Sequence, residues 1–170
     1  MTRLPAFGLV IGLAGIPLNA AAQATAQPPA AEVVDISLLG KSAIEQFKTY
    51  EDDGSCPVGS PSTECRVNSP AGIEYTTIKG VVCEITVQSS RLTGSVILPF
   101  GLQLGLGVDD VVRLTPKDQA GGRLFLHDGR RGFESGDVAI GDLDHTIAML
   151  MWFDLNERLA TIHFSDPCYE

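Results

Sequence analysis

The sequence predicts an α+β protein: one antiparallel sheet of about six to eight strands with two short helices. Two observations predict it. Runs of alternating or β-branched residues, bounded by Gly and Pro, recur through the second half of the chain. Two short segments carry helix-start chemistry, and each is followed by strand-like runs.

The chain opens on a leader. Arg3 precedes an apolar stretch, Phe7 to Leu18, and then come Ala20-Ala21-Ala22 and Ala22-Gln23-Ala24, either of which suits signal-peptidase cleavage. Residues 1–22 therefore read as a secretory signal peptide. The apolar stretch is short and interrupted by Gly and Pro, unlike a membrane anchor of about 18–20 apolar residues. Residues 23–32, rich in Ala, Gln and Pro, read as a linker, and residues 33–170 as a single domain. No Cys lies near the cut to take a lipid. The expected location is the periplasm or the cell exterior, with no membrane span once the leader is removed.

Within the domain, Ser42 is an N-cap candidate with Glu45 three residues on, and Ile44 and Phe47 share a face, so a short helix is expected over residues 42–49. Strands follow over Ile73–Lys79 and Val81–Gln88. In the second, alternation places Val81, Cys83, Ile85 and Val87 on one face. Ser89-Ser90 reads as a turn and Arg91–Leu98 as a third strand. Pro99 and the glycines at 101, 105 and 107 break the pattern, with Phe100, Leu102, Leu104 and Leu106 packing inward. A second helix is expected over Val108–Leu114, with Asp109 and Asp110 in its first turn and Arg113 near its end, as the helix dipole favours. Arg123–His127, Asp137–Ile140, Thr146–Phe153 and Arg158–Phe164 complete the strands, the last two joined tightly at Asn156-Glu157.

Four cysteines in an exported chain read as two disulfides. Three connectivities are open. Pairing Cys56 with Cys65 would close a turn-rich loop, and Cys83 would then meet Cys168. The spacing Cys-x8-Cys matches neither a Cys-x2-Cys redox motif nor common zinc spacing.

Composition limits function. Twelve Lys and Arg against 21 Asp and Glu give a formal charge of -9, and loss of Arg3 with the leader makes it one unit more negative. Phosphate affinity needs clustered cations, so no nucleic-acid partner is expected. Catalytic signatures are absent: Glu134-Ser135-Gly136 lacks the first glycine of a nucleophile elbow, and there is no His-Glu-x-x-His. His127 with Asp128, or His145 with Asp142 and Asp144, are the pairs a small exported hydrolase would use, with Ser135 as nucleophile. Turn aspartates and strand-end histidines account for the same residues, so no catalytic residue is assigned. Asp137, Asp142, Asp144 and His145 lack calcium-loop spacing, and no metal or cofactor is expected. The glycines at 101, 105 and 107 fit neither phosphate-loop pattern. Binding is the remaining role. Ile147–Phe153 is apolar on both faces, which fits a central strand covered on both sides; alternatively, Trp152 or Met151 lies in an exposed patch that docks a partner. Arg130 and Arg131 form a basic loop tip on an acidic chain. Arg130, Arg131 and Trp152 are the candidate binding residues.

Leu39-Gly40 through Phe47 is similar to Leu106-Gly107 through Leu114, and Ser90-Arg91-Leu92 to Glu157-Arg158-Leu159, both at an offset of 67 positions. Residues 35–98 and 102–165 would then be two copies of a helix–hairpin unit. With Gly40, Ser42, Ile44, Gly107, Asp109, Val111 and the two Arg-Leu pairs, the chain resembles the periplasmic modules of SmpA/OmlA-type outer-membrane assembly lipoproteins. The tandem form resembles secreted β-lactamase-inhibitor proteins. Those lipoproteins carry a lipid-accepting Cys and a Gly-x-Pro after the helix, neither of which is present here. The resemblance implies a non-enzymatic protein of inhibitor, immunity or envelope-assembly type. It would bind another protein, in the envelope or outside the cell, through its sheet face or loops.

Overall fold

The computed structural model describes residues 30–42, 47, 51–52, 64–140, 146–166 and 168. The expected leader at 1–22, most of the expected linker and most of the first expected helix lie outside the described residues.

The strands in chain order are β1 (Glu32–Val33), β2 (Glu51–Asp52), β3 (Glu64–Asn68), β4 (Glu74–Ile78), β5 (Val81–Gln88), β6 (Val96–Ile97), β7 (Arg123–His127), β8 (Arg130–Ala139), β9 (Thr146–Phe153) and β10 (Leu159–Ser165). The helix α1 (Val108–Leu114) lies between β6 and β7. Seven strands form one antiparallel sheet, and the two-residue β2 extends one edge. The order is β2-β3-β4-β5-β10-β9-β8-β7. Two meanders thus meet at its centre, where β5 pairs with β10, for example Val87 with Ile162 and Ile85 with Phe164. A small parallel pair, β1 with β6, stands apart.

One sheet face carries the core. Tyr75, Ile85, Phe133, Ile147, Met149, Met151, Phe153, Ile162 and Phe164 are almost fully buried on it. Val108 and Val111 of α1 join this cluster, as do Leu102 and, less deeply, Phe100, Leu104 and Leu106 of the glycine-rich connection. That connection is tied to β10 by hydrogen bonds from Gly105 N to Leu159 O and from Leu159 N to Leu106 O, both 2.8 Å. The helix has the expected bounds and charge order, with Arg113 bonded to Asp110 at 2.8 Å.

Four expectations need correction. Arg91–Leu98 is not a third strand of the meander. Arg91 instead closes a turn and pairs with Glu74, while Thr93 bonds Ala71 O and Pro70 O; only Val96–Ile97 is extended in a ladder, beside β1. These hydrogen bonds to the loop at 70–71 hold the segment off the sheet. Second, Val82, not Val81, joins Ile85 and Val87 in the core. The register slips at β4, where Thr76 faces Glu84 and Thr77 faces Val82, so Cys83 is an extra residue and the parity changes there. Third, β8 begins at Arg130, not Asp137, and β3 occupies part of the expected cysteine loop. Fourth, Glu32, placed in the linker, is already paired with Val96.

A second bulge, between Glu134 and Asp137, reshapes β8. Gly136 has φ 74° there, and Ser135 is fully buried. Ser135 Oγ accepts from Met149 N at 3.0 Å and donates to Gly136 O at 2.8 Å, so a side chain fills a gap in the ladder.

Cys83 and Cys168 form a disulfide with Cα atoms 5.4 Å apart. It ties the tail to β5, where Asp166 N also bonds Cys83 O at 3.0 Å. Cys65 is half-buried on β3 without a sulfur partner among the described residues, and Cys56 lies outside them.

Candidate functional site: the open sheet face

Side chains alternate across a strand, so each core residue leaves a neighbour on the other face. Along β9, Ile147, Met149, Met151 and Phe153 are buried to the last atom, whereas Ala148, Leu150 and Trp152 are half-exposed. A strand covered on both sides would bury both sets. Its apolar run therefore divides: Met151 belongs to the core, and Trp152 to an open face.

Strand register sets out that face in rows. One row runs Glu74, Thr86, His163, Leu150, Glu134, Arg123. The next runs Gln88, Thr161, Trp152, Gly132, Phe125.

An aromatic cluster occupies the β7 end of the second row. The Phe125 ring meets Trp152 edge-on, with centroids 5.2 Å apart and planes at 84°. It reaches Trp152 because Gly132 lies between them: a Cβ there would sit 2.3 Å from the Phe125 ring. His127 stands 6.2 Å from Trp152, and the Arg130 guanidinium lies 5.9 Å over the indole, a cation–π arrangement. The strands β7 and β8 turn at Asp128-Gly129, both left-handed at φ 49° and 76°, as a two-residue hairpin of this kind requires. Arg130 and Arg131 thus begin β8, and the turn itself is Asp128-Gly129. Arg131 reaches across to Glu157 at 2.8 Å, joining this hairpin to the β9–β10 turn. In that turn Asp154 Oδ1 accepts from Asn156 N and Arg158 N, and Leu155 projects 94% exposed.

The centre of the face holds a polar trio from β5 and β10. His163 Nδ1 is 2.6 Å from Glu84 Oε1, and Thr86 Oγ is 3.0 Å from both. Two acceptors at 2.6 Å would repel, so Nδ1 carries the proton and donates to the carboxylate. Thr86 donates to the same oxygen. The hydrogen bond from His163 holds the Glu84 carboxyl below the ordinary glutamate range, against the opposing effect of burial; the charge of His163, the Thr86 bond and Arg66 add to the lowering. No other hydrogen bond reaches the imidazole among the described residues, and the side chain is 28% exposed. Glu84 and His163 are 79 positions apart, and no spacing rule connects them.

The other candidates are not gathered. His127 and Asp128 touch at 3.4 Å but stand 69% and 88% exposed at a hairpin end. Ser135 is sealed in its bulge, bonded to Gly136 O and Met149 N, with no histidine partner among the described residues. Asp137 is exposed, and Asp142, Asp144 and His145 lie outside the described residues. Arg130 and Trp152 are brought together; Arg131 is next to them but bonds away, toward Glu157.

No family model matches this chain, and no curated protein or solved structure matches it either.

Proposed function

We propose that this is an exported, disulfide-bonded α+β protein that acts by binding another protein through the open face of its sheet, without a cofactor and without catalysis. The observation that carries this is the half-exposed Trp152–Phe125–His127–Arg130 cluster. An aromatic anchor topped by arginine is the composition of an interface hot spot, and it sits where an antiparallel sheet ordinarily presents polar side chains to water. The Cys83–Cys168 bridge supports an oxidising compartment, in keeping with the leader. Among the described residues no helix is long and apolar enough to cross a membrane. A role of the inhibitor, immunity or envelope-assembly type, as the SmpA/OmlA resemblance implies, belongs to the same proposal, as does the tandem helix–hairpin architecture.

Photo-crosslinking in the producing cell tests it. A benzophenone side chain at Leu150, on the open face, should capture one protein reproducibly, and Trp152→Ala should abolish the capture. The same probe at Asp109, on α1, should capture nothing. Equal capture from both positions, or none from Leu150, overturns the proposal.

A second reading, a small hydrolase, is favoured by the Glu84–His163 contact alone. Its hydroxyl neighbour, Thr86, bonds the same carboxylate oxygen, so among the described residues no hydroxyl is bonded to Nε2. Hydrolysis of an ester panel that disappears in His163→Ala would establish it.

A further inference from the structure

The strand β7 is the outer edge of the sheet, and nothing pairs with its far side among the described residues. The hairpin fixes which backbone groups face outward. With a two-residue turn at 128–129, His127 and Arg130 are a hydrogen-bonded pair, and so by alternation are Phe125 with Gly132 and Arg123 with Glu134. The N–H and C=O of Leu124 and Leu126 therefore point away from the sheet. Four backbone groups are left for another strand, flanked by side chains that are 49% and 71% exposed. Exposed apolar edges of this kind are templates for strand pairing, and proteins usually blunt them with charge, proline or a bulge. Here the edge carries Leu, Phe and Leu in succession.

We propose that β7 takes up an extended segment of the partner protein as an added strand, one that alternates acidic and apolar residues. This rests on the protein-binding function proposed above and specifies how the partner is held. The charge distribution selects the segment. In a chain of net charge -9, three of the eight arginines lie on this hairpin. Arg123 and Arg131 are matched by Glu134 and Glu157, while Arg130 has no carboxylate among the described residues and lies over Trp152. An added strand puts alternate side chains on opposite faces. One set would lie beside Arg123, Phe125 and His127, on the face where Arg130 stands one strand further in, so acids are favoured there. The other would lie beside Leu124 and Leu126, where apolar groups are. A second copy of this chain fits less well, because it would bring two sets of the same cations together at the seam.

The test uses the full disulfide-bonded chain and a labelled synthetic heptapeptide of alternating glutamate and valine, with a lysine–valine heptapeptide as its counterpart. The acidic peptide should bind and slow hydrogen exchange at the Leu124 and Leu126 amides. The lysine peptide should bind about tenfold more weakly, the equivalent of about 1.4 kcal/mol. Leu126→Pro removes an outward N–H without breaking the β7–β8 ladder, so it should fold and lose the acidic peptide. Leu126→Glu, which leaves the backbone intact, puts a charge beside the peptide's valines and should weaken the acidic peptide. Failure of the acidic peptide to bind, equal binding of the two peptides, unaltered binding in both variants, or a dimer that Leu126→Glu dissolves would each overturn strand addition. Crosslinking of the native partner from Leu150 that persists in Leu126→Glu would overturn it too, while leaving the protein-binding function standing.

Discussion

The Cys83–Cys168 bridge joins residues 85 positions apart, so it restricts about half of the 170-residue chain when that chain unfolds. Loop-closure entropy for a ring of that size corresponds to about 4.6 kcal/mol at 25 °C. The Cα separation of 5.4 Å lies within the ordinary range for a disulfide, so no backbone movement offsets the gain. Removing both sulfurs in Cys83→Ala/Cys168→Ala should lower the stability by about that amount and the melting temperature by about 9–18 °C for a domain of this size. Urea unfolding followed by Trp152 fluorescence measures the difference, with the unfolding slope used to detect any change in the denatured state. Reductant should shift the wild-type protein in the same direction. The double variant then isolates the remaining pair: further loss on reduction is the signature expected of a Cys56–Cys65 bridge. A change below about 1 kcal/mol in the double variant, together with indifference of the wild type to reductant, would refute the assignment of this bridge as a major restraint.

Three other changes probe the sheet directly. Ser135→Ala strips the Met149 amide of its acceptor inside the bulge and should cost about 1–3 kcal/mol, read by urea unfolding, whereas a neutral result would mean that water reaches the ladder there. Glu84 is favoured in its charged form by folding, so its contribution is present above the unfolded glutamate value of about 4.3 and fades as the pH falls through its lower folded value; stability curves of the wild type and Glu84→Gln should therefore converge in acid, and divergence there would contradict the trio. Gly132→Val places carbon in the space of the Phe125 ring and should expel it from Trp152, seen as a red-shifted, more quenchable Trp emission with the far-ultraviolet circular dichroism unchanged.

The elements legible in the sequence are those whose own residues settle the matter. Val81–Gln88, Val108–Leu114, Arg123–His127 and Thr146–Phe153 are bounded as expected, because β-branched runs, a first turn of aspartates or an Asp-Gly hairpin specify them locally. The failures arise where distant groups decide. The strand expected over residues 91–98 rested on Leu92, Thr93, Val96, Ile97 and Leu98, but Thr93 is tethered to the loop at 70–71. The start of β8, Arg-Arg-Gly-Phe, carries no apolar period, and only its partners on β7 and β9 make it a strand. Bulges at Cys83 and Ser135-Gly136 each add a residue, so alternation counted along the chain assigns faces wrongly beyond them. At the site, Trp152 and Arg130 were visible as residue types but not as a stacked pair. The Glu84–His163 contact, made across the centre of the sheet, was not visible at all.

The open face also shows where the fold departs from what stability alone requires. On β5 and β10 the residues of this face are all polar: Glu84, Gln88, His163 and Ser165 are half-buried, and Thr86 and Thr161 are buried between their neighbours. On β9 they are Ala148, Leu150 and Trp152, and on β7 Phe125 stands between Arg123 and His127. The apolar departure is confined to one end of the sheet, beside the unpaired edge and the exposed Leu126 and Leu155. Local breaks of an otherwise obeyed pattern mark function more often than error in folding. Leu150 and Met151 are adjacent but face opposite ways, so they separate the two demands. Met151→Ala opens a hole in the core and should cost about 2–5 kcal/mol. Leu150→Thr should cost less than half of that in the same urea titration, since threonine suits a half-exposed strand position, yet it should reduce capture of the partner by a crosslinker placed at Gln88, which is half-buried in the neighbouring row. If Leu150→Thr destabilises as much as Met151→Ala, the apolar end of the open face serves the fold and not a partner.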